Sequence, residues 1–577
     1  MEYLRYPIVE WTVYFHNKGE RASAMLEDIQ ALDARFAVAS GREATLRHQR
    51  GSEHSIRDFE MFSERLLPGT DRTLASVGGR SSNGSMPYFH LDLADFGINL
   101  AIGWPGQWAA RCSREEGDVR MRAGQERVHL RLLPGERIRT PLIALQFWQG
   151  DAVEAHNVYR KWMNEHNVPR PKGQLPAPFI AACSSHQFSE MEKANEDNQK
   201  QFIDRYLEED IPLDYWWMDA GWYPNNGTWI NTGTWEVDTR RFPRGLRAVT
   251  DHGRTKGVDS IVWFEPERVT ADSALARAHP EWLLAPPAEM PAGHNVRPDW
   301  LLFNHGNEEA RRWWTDWVVG FIQREGIDLY RQDFNVDPLS YWQSHDEEDR
   351  QGMTEIRYVE GLLAFFDELR ERLDGILIDT CASGGRRLDL ESMRRAVPLT
   401  RSDYHFEPIG QQCQTYGLSP WLTFHGGGVM HTEPNRFRSA IAPCNIFCFD
   451  MRETSLDYDT MRRNAEERAL LVPYYKESFY PLTPCAVDND VWMAWQFHRD
   501  EDGSGIVMGF RRAEAAEETL TVRLRGLDPE AEYAVTVIDE AHRREAFEAS
   551  GRALAESGLL LPCPSKDTSV AVHYHRT

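Results

Sequence analysis

The eight cysteines of this chain include no Cys-x-x-Cys pair and no spacing of the kind that holds zinc. Cys444 and Cys448, in an apolar run, read as packed thiols. No stretch approaches the roughly 18 consecutive apolar residues that span a bilayer. The opening MEYLRYPIVEWTVYF lacks the basic start and long apolar centre of a secretion signal, so a cytoplasmic location is expected. Positive charge is also short: Lys and Arg total 65 against 89 Asp and Glu, a net charge of −24. That sign repels phosphate backbones and anionic lipids, so neither nucleic acid nor membrane is expected as a partner. No Gly-rich phosphate loop follows the first strand-like run of the central region, which weakens a nucleotide-binding reading.

Aromatic residues are plentiful instead, with 20 Trp, 19 Tyr and 26 Phe. Rings in clefts stack on the C–H faces of sugars, which leans the reading toward carbohydrate. At 577 residues the chain exceeds one compact core, and two to four domains are expected. Residues 1–150 read as strands between Gly and Pro turns, as in SMPYFHLDLADFGINLAIGW, and predict a β-sandwich. A helix from Ala152 leads into the Pro-rich NVPRPKGQLPAP, a domain boundary. From about 176 to 480, short apolar runs alternate with amphipathic stretches such as EEARRWWTDWVVGFIQREG. The runs are FIAAC, DYWWMDA, SIVWFEPE, LYRQDFN, GILIDTCAS, PLTRSDY and weaker ones near LTFHGGG and NIFCFD. This pattern predicts an eight-stranded β/α barrel, with a doubly wound open sheet as the alternative. Strands return from about 486 and predict a small antiparallel β-domain.

A β/α barrel carries its chemistry at the C-terminal ends of its strands. The runs end in Asp219, in Glu265 and Glu267, in Asp333 and Asn335, near Cys381, Gly384 and Arg387, and in Asp403. Arg331, Arg387 and Arg401 lie nearby. Metal hydrolases add strand-end histidines, but His405, His425 and His431 lie past the strand ends without a His-x-His pattern. Glycoside cleavage by a carboxylate pair, with interleaved Trp, fits better. Each residue also has an ordinary reading. A strand-end Asp caps a helix or pairs with an Arg. CASGGRR reads equally as a tight turn, and one carboxylate of WFEPE as a tie to an Arg. GWPGQW, Gly103–Trp108, reads as a turn with packed indoles or as an aromatic wall over the barrel mouth.

In their order, the motifs MDAGW, WFEPERV, HPEWLL, YRQDFN, CASGGRR and RSDY resemble glycoside hydrolase family 36, the melibiase-type α-galactosidases of clan D. The resemblance covers nearly the whole chain. It implies an N-terminal β-supersandwich (1–150), a helical and Pro-rich linker (151–175), a catalytic (β/α)8 barrel (176–485) and a C-terminal antiparallel β-sandwich (486–577). It also implies a retaining, exo-acting hydrolase that uses no metal or other cofactor. Asp333 takes the place of the nucleophile, with Asn335 beside it, and Asp403 that of the acid/base. Asp219, Trp222, Trp263, Arg297, Arg331, Asn335, Cys381, Gly384 and Arg387 take substrate-binding places. Cys381 and Gly384 are expected to face the sugar's 2-substituent.

This sequence departs from the family's pattern in two places. The second of a pair of hydroxyl-binding aspartates is Ala220, and a Lys-Trp pair is Arg331-Gln332. The implied substrate is an oligosaccharide or glycoconjugate with a terminal α-linked galactose-type sugar. A 2-amino or 2-acetamido galactoside and transglycosylation are alternatives, and a homo-oligomer is compatible with the sequence. A non-catalytic, carbohydrate-binding barrel is the reading from a different class; aspartates at both catalytic places argue against it.

Overall fold

The apolar runs of the central region form a parallel sheet in the computed structural model, which describes residues 1–577 apart from positions 40 and 116. Its strands are β1 (Phe179–Cys183), β2 (Tyr215–Met218), β3 (Asp259–Phe264), β4 (Leu329–Gln332), β5 (Leu377–Thr380), β6 (Gly426–Val429) and β7 (Cys444–Phe447). In space they run β5-β4-β3-β2-β1-β7-β6, every pairing parallel. Residues 397–401 close the gap between β5 and β6. Val397 bridges Asp379 of β5, and the Gly426 N–H donates to the Pro398 carbonyl at 2.9 Å. Pro398 has no N–H to give, so this stave is sparsely bonded but still holds a strand's place. The circuit is the eight-membered barrel expected from eight apolar runs, and its closure excludes the open sheet.

The helices between the strands follow from local sequence. α1 (Glu308–Glu325) starts at Asn307, whose side chain accepts from the Glu309 and Ala310 N–H groups, and stops at Gly326, which takes the left-handed φ of 70°. Its buried residues, among them Ala310, Trp314, Val318, Phe321 and Ile322, recur at helical spacing and cover the barrel. α2 (Met353–Arg372) packs beside it.

Residues 8–148 supply two antiparallel sheets of six and four strands. A second antiparallel sheet of six strands begins at Ser478–Pro481 and ends at Thr568–Arg576. The first of these bodies reaches the barrel's catalytic end. Buried Arg80 donates to the carbonyls of Phe334 and Ala382 at 3.3 and 3.2 Å and pairs with Asp337. Buried Asp58 accepts from Ser402 Oγ at 2.6 Å. The GWPGQW stretch takes its plainer reading. Trp104 and Trp108 are fully buried and donate to Glu355 Oε1 and the Ser81 carbonyl, at 2.7 and 2.6 Å. Among the described residues no helix is long and apolar enough to cross a membrane.

Candidate active site

A cavity of about 300 Å³ opens at the C-terminal ends of the strands, where β/α barrels do their chemistry. Asp219, Trp263, Arg331, Asp333, Asn335 and Asp403 all line it. A larger cavity, about 690 Å³, lies at the opposite end and is lined by residues such as Asp214, Asp259 and Asp328. Two of those carboxylates are engaged in structure: Asp214 accepts from the Ile180 N–H and Asp328 from the Ser260 N–H, at 2.7 and 2.9 Å. We therefore place the chemistry in the smaller cavity.

Asp333 follows β4 directly, and its N–H extends the ladder to the Phe264 carbonyl at 2.8 Å. Four donors hold its carboxylate. Oδ1 accepts from the N–H groups of Phe334 and Ser383, at 2.7 and 3.1 Å. Oδ2 accepts from Asn335 Nδ2 at 2.7 Å and Trp263 Nε1 at 3.2 Å. Burial disfavours the charge, but Arg331, Asn335 and the Ser383 N–H outweigh it, and the pKa falls below its ordinary value. Asp333 is thus an ionised carboxylate with both oxygens oriented.

Asp403 has a different setting. It sits past the sparsely bonded stave, and no protein donor reaches its carboxyl among the described residues. Burial, and then the charge of Asp333, push its pKa up to about 6. One carboxyl is held charged and its neighbour is biased toward the proton, the division that a nucleophile and an acid require.

Arg331 is paired in register with Trp263 on one side and Asp379 on the other. Its guanidinium donates to Asp379 and lies 4.4 Å from the centre of the Trp217 ring. It is therefore both ion-paired and exposed to the cavity. The partner is Asp379 of β5, with Asp333 a neighbouring charge.

Five residues expected to bind substrate do not line the cavity. Gly221, at φ 99°, turns the chain so that Trp222 leaves for the core. There its Nε1 donates to the Trp263 carbonyl at 2.9 Å, and its ring packs 5.1 Å from Phe321. Arg297 lies on the surface, paired with Asp299 at 3.2 Å and stacked over Trp300. The Cys381 thiol is buried and accepts the Gly384 N–H at 3.2 Å. Gly384, at φ 76°, lies under the loop that carries Asp403: a Cβ there would come 2.7 Å from the Asp403 nitrogen. Arg387 is buried against Glu267, with which it makes two hydrogen bonds of 2.8 and 2.9 Å. Glu267 also accepts from Gln332 and Tyr358, and Glu265 pairs with Arg268. Both carboxylates of WFEPE are therefore structural ties. Arg387→Ala strands a buried, charged Glu267, and we expect a stability loss of about 3–5 kcal/mol in chemical denaturation.

The cavity also contains residues absent from the sequence reading. His54 arrives from the N-terminal sheets, His186 and Glu190 from the loop after β1, and Trp229 from the loop after β2. His405 also lines it; it appeared above only as a histidine outside metal spacing. Only the aromatic richness hinted at Trp229. Nothing in the local pattern marked His54 or Glu190.

Comparison with known proteins bears on the family and the fold. The Melibiase family model matches residues 186–423, and the model of the glycosyl hydrolase family 36 C-terminal domain matches residues 492–574. Alpha-galactosidase Mel36A of Lactobacillus acidophilus is 23% identical over 563 residues, covering 92% of this chain and 74% of that protein. Alpha-galactosidase 1 of Pediococcus pentosaceus is 23% identical over 557 residues, covering 91% and 73%. The solved structure of alpha-galactosidase AgaA from Geobacillus stearothermophilus with raffinose superposes with a TM-score of 0.85 at 20% identity, covering 100% of this chain and 80% of that one. The chain belongs to glycoside hydrolase family 36.

Proposed function

We propose that this protein is a retaining, exo-acting α-galactosidase in which Asp333 attacks the anomeric carbon and Asp403 protonates the departing oxygen. The observation that carries the reading is the pair itself: two carboxyls in one cavity, one held below its ordinary pKa and one raised to about 6. Attack by Asp333 breaks the glycosidic bond and forms a glycosyl ester, while Asp403 gives its proton to the leaving alcohol. Asp403 then takes a proton from water, the hydroxide so formed attacks the anomeric carbon, and Asp333 leaves as a carboxylate. Two inversions give net retention. The names and bound sugars of the relatives support the same substrate class, α-galactosides.

A 2-acetamido glycone is the weaker alternative. Gly384, expected to face the sugar's 2-substituent, instead packs against the backbone of Ser402 and Asp403. A panel of aryl α-glycosides, including 2-amino and 2-acetamido galactosides, tests the reading. The α-galactoside should be cleaved best, with the α-anomer of galactose as first product by NMR. Release of the β-anomer first, or no cleavage of any α-glycoside, overturns it. Among the described residues no three His, Cys, Asp or Glu side chains are grouped to hold a metal ion, so activity should survive a chelator such as EDTA undiminished.

A further inference from the structure

Glu190 reaches the cavity on a backbone that resists its own conformation. Ser189, Glu190 and Met191 take φ values of 52°, 52° and 61°, three successive non-glycine residues in the left-handed region. Such a run persists only where its surroundings impose it, and such sites cluster where ligands are held. Here the surroundings are specific. The Glu190 N–H donates to the Ser185 carbonyl at 2.9 Å, and Arg241 Nη1 donates to the Met191 carbonyl at 2.8 Å. The Glu190 carbonyl lies against Gly221, where a Cβ would come within 2.5 Å of it. The strained turn is thus clamped onto the Asp219-Ala220-Gly221 loop.

The clamp presents a carboxylate to the cavity beside Asp219. Ser185 Oγ donates to Glu190 Oε2 at 2.6 Å, and the Ala220 N–H donates to Asp219 Oδ1 at 2.9 Å. Among the described residues no donor reaches Glu190 Oε1 or Asp219 Oδ2, and neither group is within ion-pair distance of a cation. Each Asp219 and Glu190 carboxylate therefore keeps one free acceptor oxygen in a confined space. The small Ala220 lines the cavity with them.

We propose that Glu190 is a glycone-binding, specificity-determining residue that completes with Asp219 a two-carboxylate acceptor for the hydroxyl groups on the sugar edge lying over Ala220. This assignment rests on the glycosidase reading above. It makes residue 190, on the loop after β1, the partner that position 220 does not supply.

The test compares kcat and KM of wild type, Glu190→Gln and Glu190→Asp on p-nitrophenyl α-D-galactopyranoside and its 4-deoxy and 6-deoxy analogues. Glu190→Gln, close in shape to the native side chain, should lower kcat/KM on the parent about 10²-fold, mostly through KM. On the one analogue lacking the hydroxyl that Glu190 holds, wild type and Glu190→Gln should agree within about threefold. Glu190→Asp should fall between them on the parent. An equal loss on all three substrates shows a merely structural residue and overturns the proposal, as does a loss below threefold on the parent. If the panel selects another α-glycoside, the galactoside reading falls, and Glu190 is tested on that glycoside and its monodeoxy analogues. If no glycoside is cleaved, both readings fall.

Discussion

Asp333→Ala is expected to lower kcat on an aryl α-galactoside by roughly 10⁴–10⁶-fold, the range seen when a covalent nucleophile is removed. That corresponds to about 5–8 kcal/mol of transition-state stabilisation. The geometry gives the reason. Four donors converge on this carboxylate and Arg331 offsets its burial, so nothing else in the cavity is as firmly ionised and oriented. Truncation removes the atom that forms the ester and leaves a gap lined by N–H groups. Azide can enter it and attack the same carbon. The variant should recover part of its activity in azide and release β-galactosyl azide, one inversion instead of two. If Asp333→Ala stays within tenfold of wild type, the nucleophile lies elsewhere, and Asp219 becomes the candidate.

The second large effect is in pH dependence. As the proposed acid, Asp403 must carry a proton when the bond breaks, and its pKa is raised to about 6. Asp333 must be ionised, and its pKa is depressed. Activity should therefore appear as pH rises through the low value of Asp333 and disappear as pH rises through about 6. In Asp403→Asn the alkaline limb of kcat/KM should vanish. Activity on an alkyl galactoside, a poor leaving group, should fall by roughly 10²–10⁴-fold, and activity on a dinitrophenyl galactoside far less. An unchanged alkaline limb in that variant would remove Asp403 from the role. The charge of Asp333 is the second cause of the high pKa, after burial. Forming the ester removes that charge, so the pKa of Asp403 falls just when the group must act as a base.

The aspartates at the barrel mouth were legible in the sequence because they end buried apolar runs, and a parallel barrel buries both faces of each strand. That pattern and the barrel's polarity singled out Asp219, Asp333 and Asp403 together with Glu265 and Glu267, and only the family resemblance gave Asp333 and Asp403 their separate places. Trp222 illustrates the limit. MDAGW is contiguous with Asp219, but one glycine at positive φ sends the indole away from the cavity. Arg297 was placed by motif order alone, and order does not tell a rim from an outer surface. Glu267 and Arg387 are 120 residues apart, and only folding shows that each satisfies the other. Glu190 was hidden for another reason: its polar neighbourhood reads as an ordinary loop, and left-handed backbone geometry leaves no trace in residue type when no glycine is used. The stave at 397–401 was expected as a strand, and its proline explains why so few ladder bonds form there.

Arg80 and Asp58 bear on how this enzyme fails. One grips the loops on either side of Asp333, the other the residue beside Asp403, and both lie in loops of the N-terminal sandwich. The barrel supplies the reacting groups but not the whole frame that aims them. Loosening of the sandwich alone releases these holds and disarms the reacting groups. In a heating experiment, inactivation therefore follows whichever of the two bodies gives way first, and catalytic activity becomes a sensitive gauge of the integrity of residues that never touch the sugar.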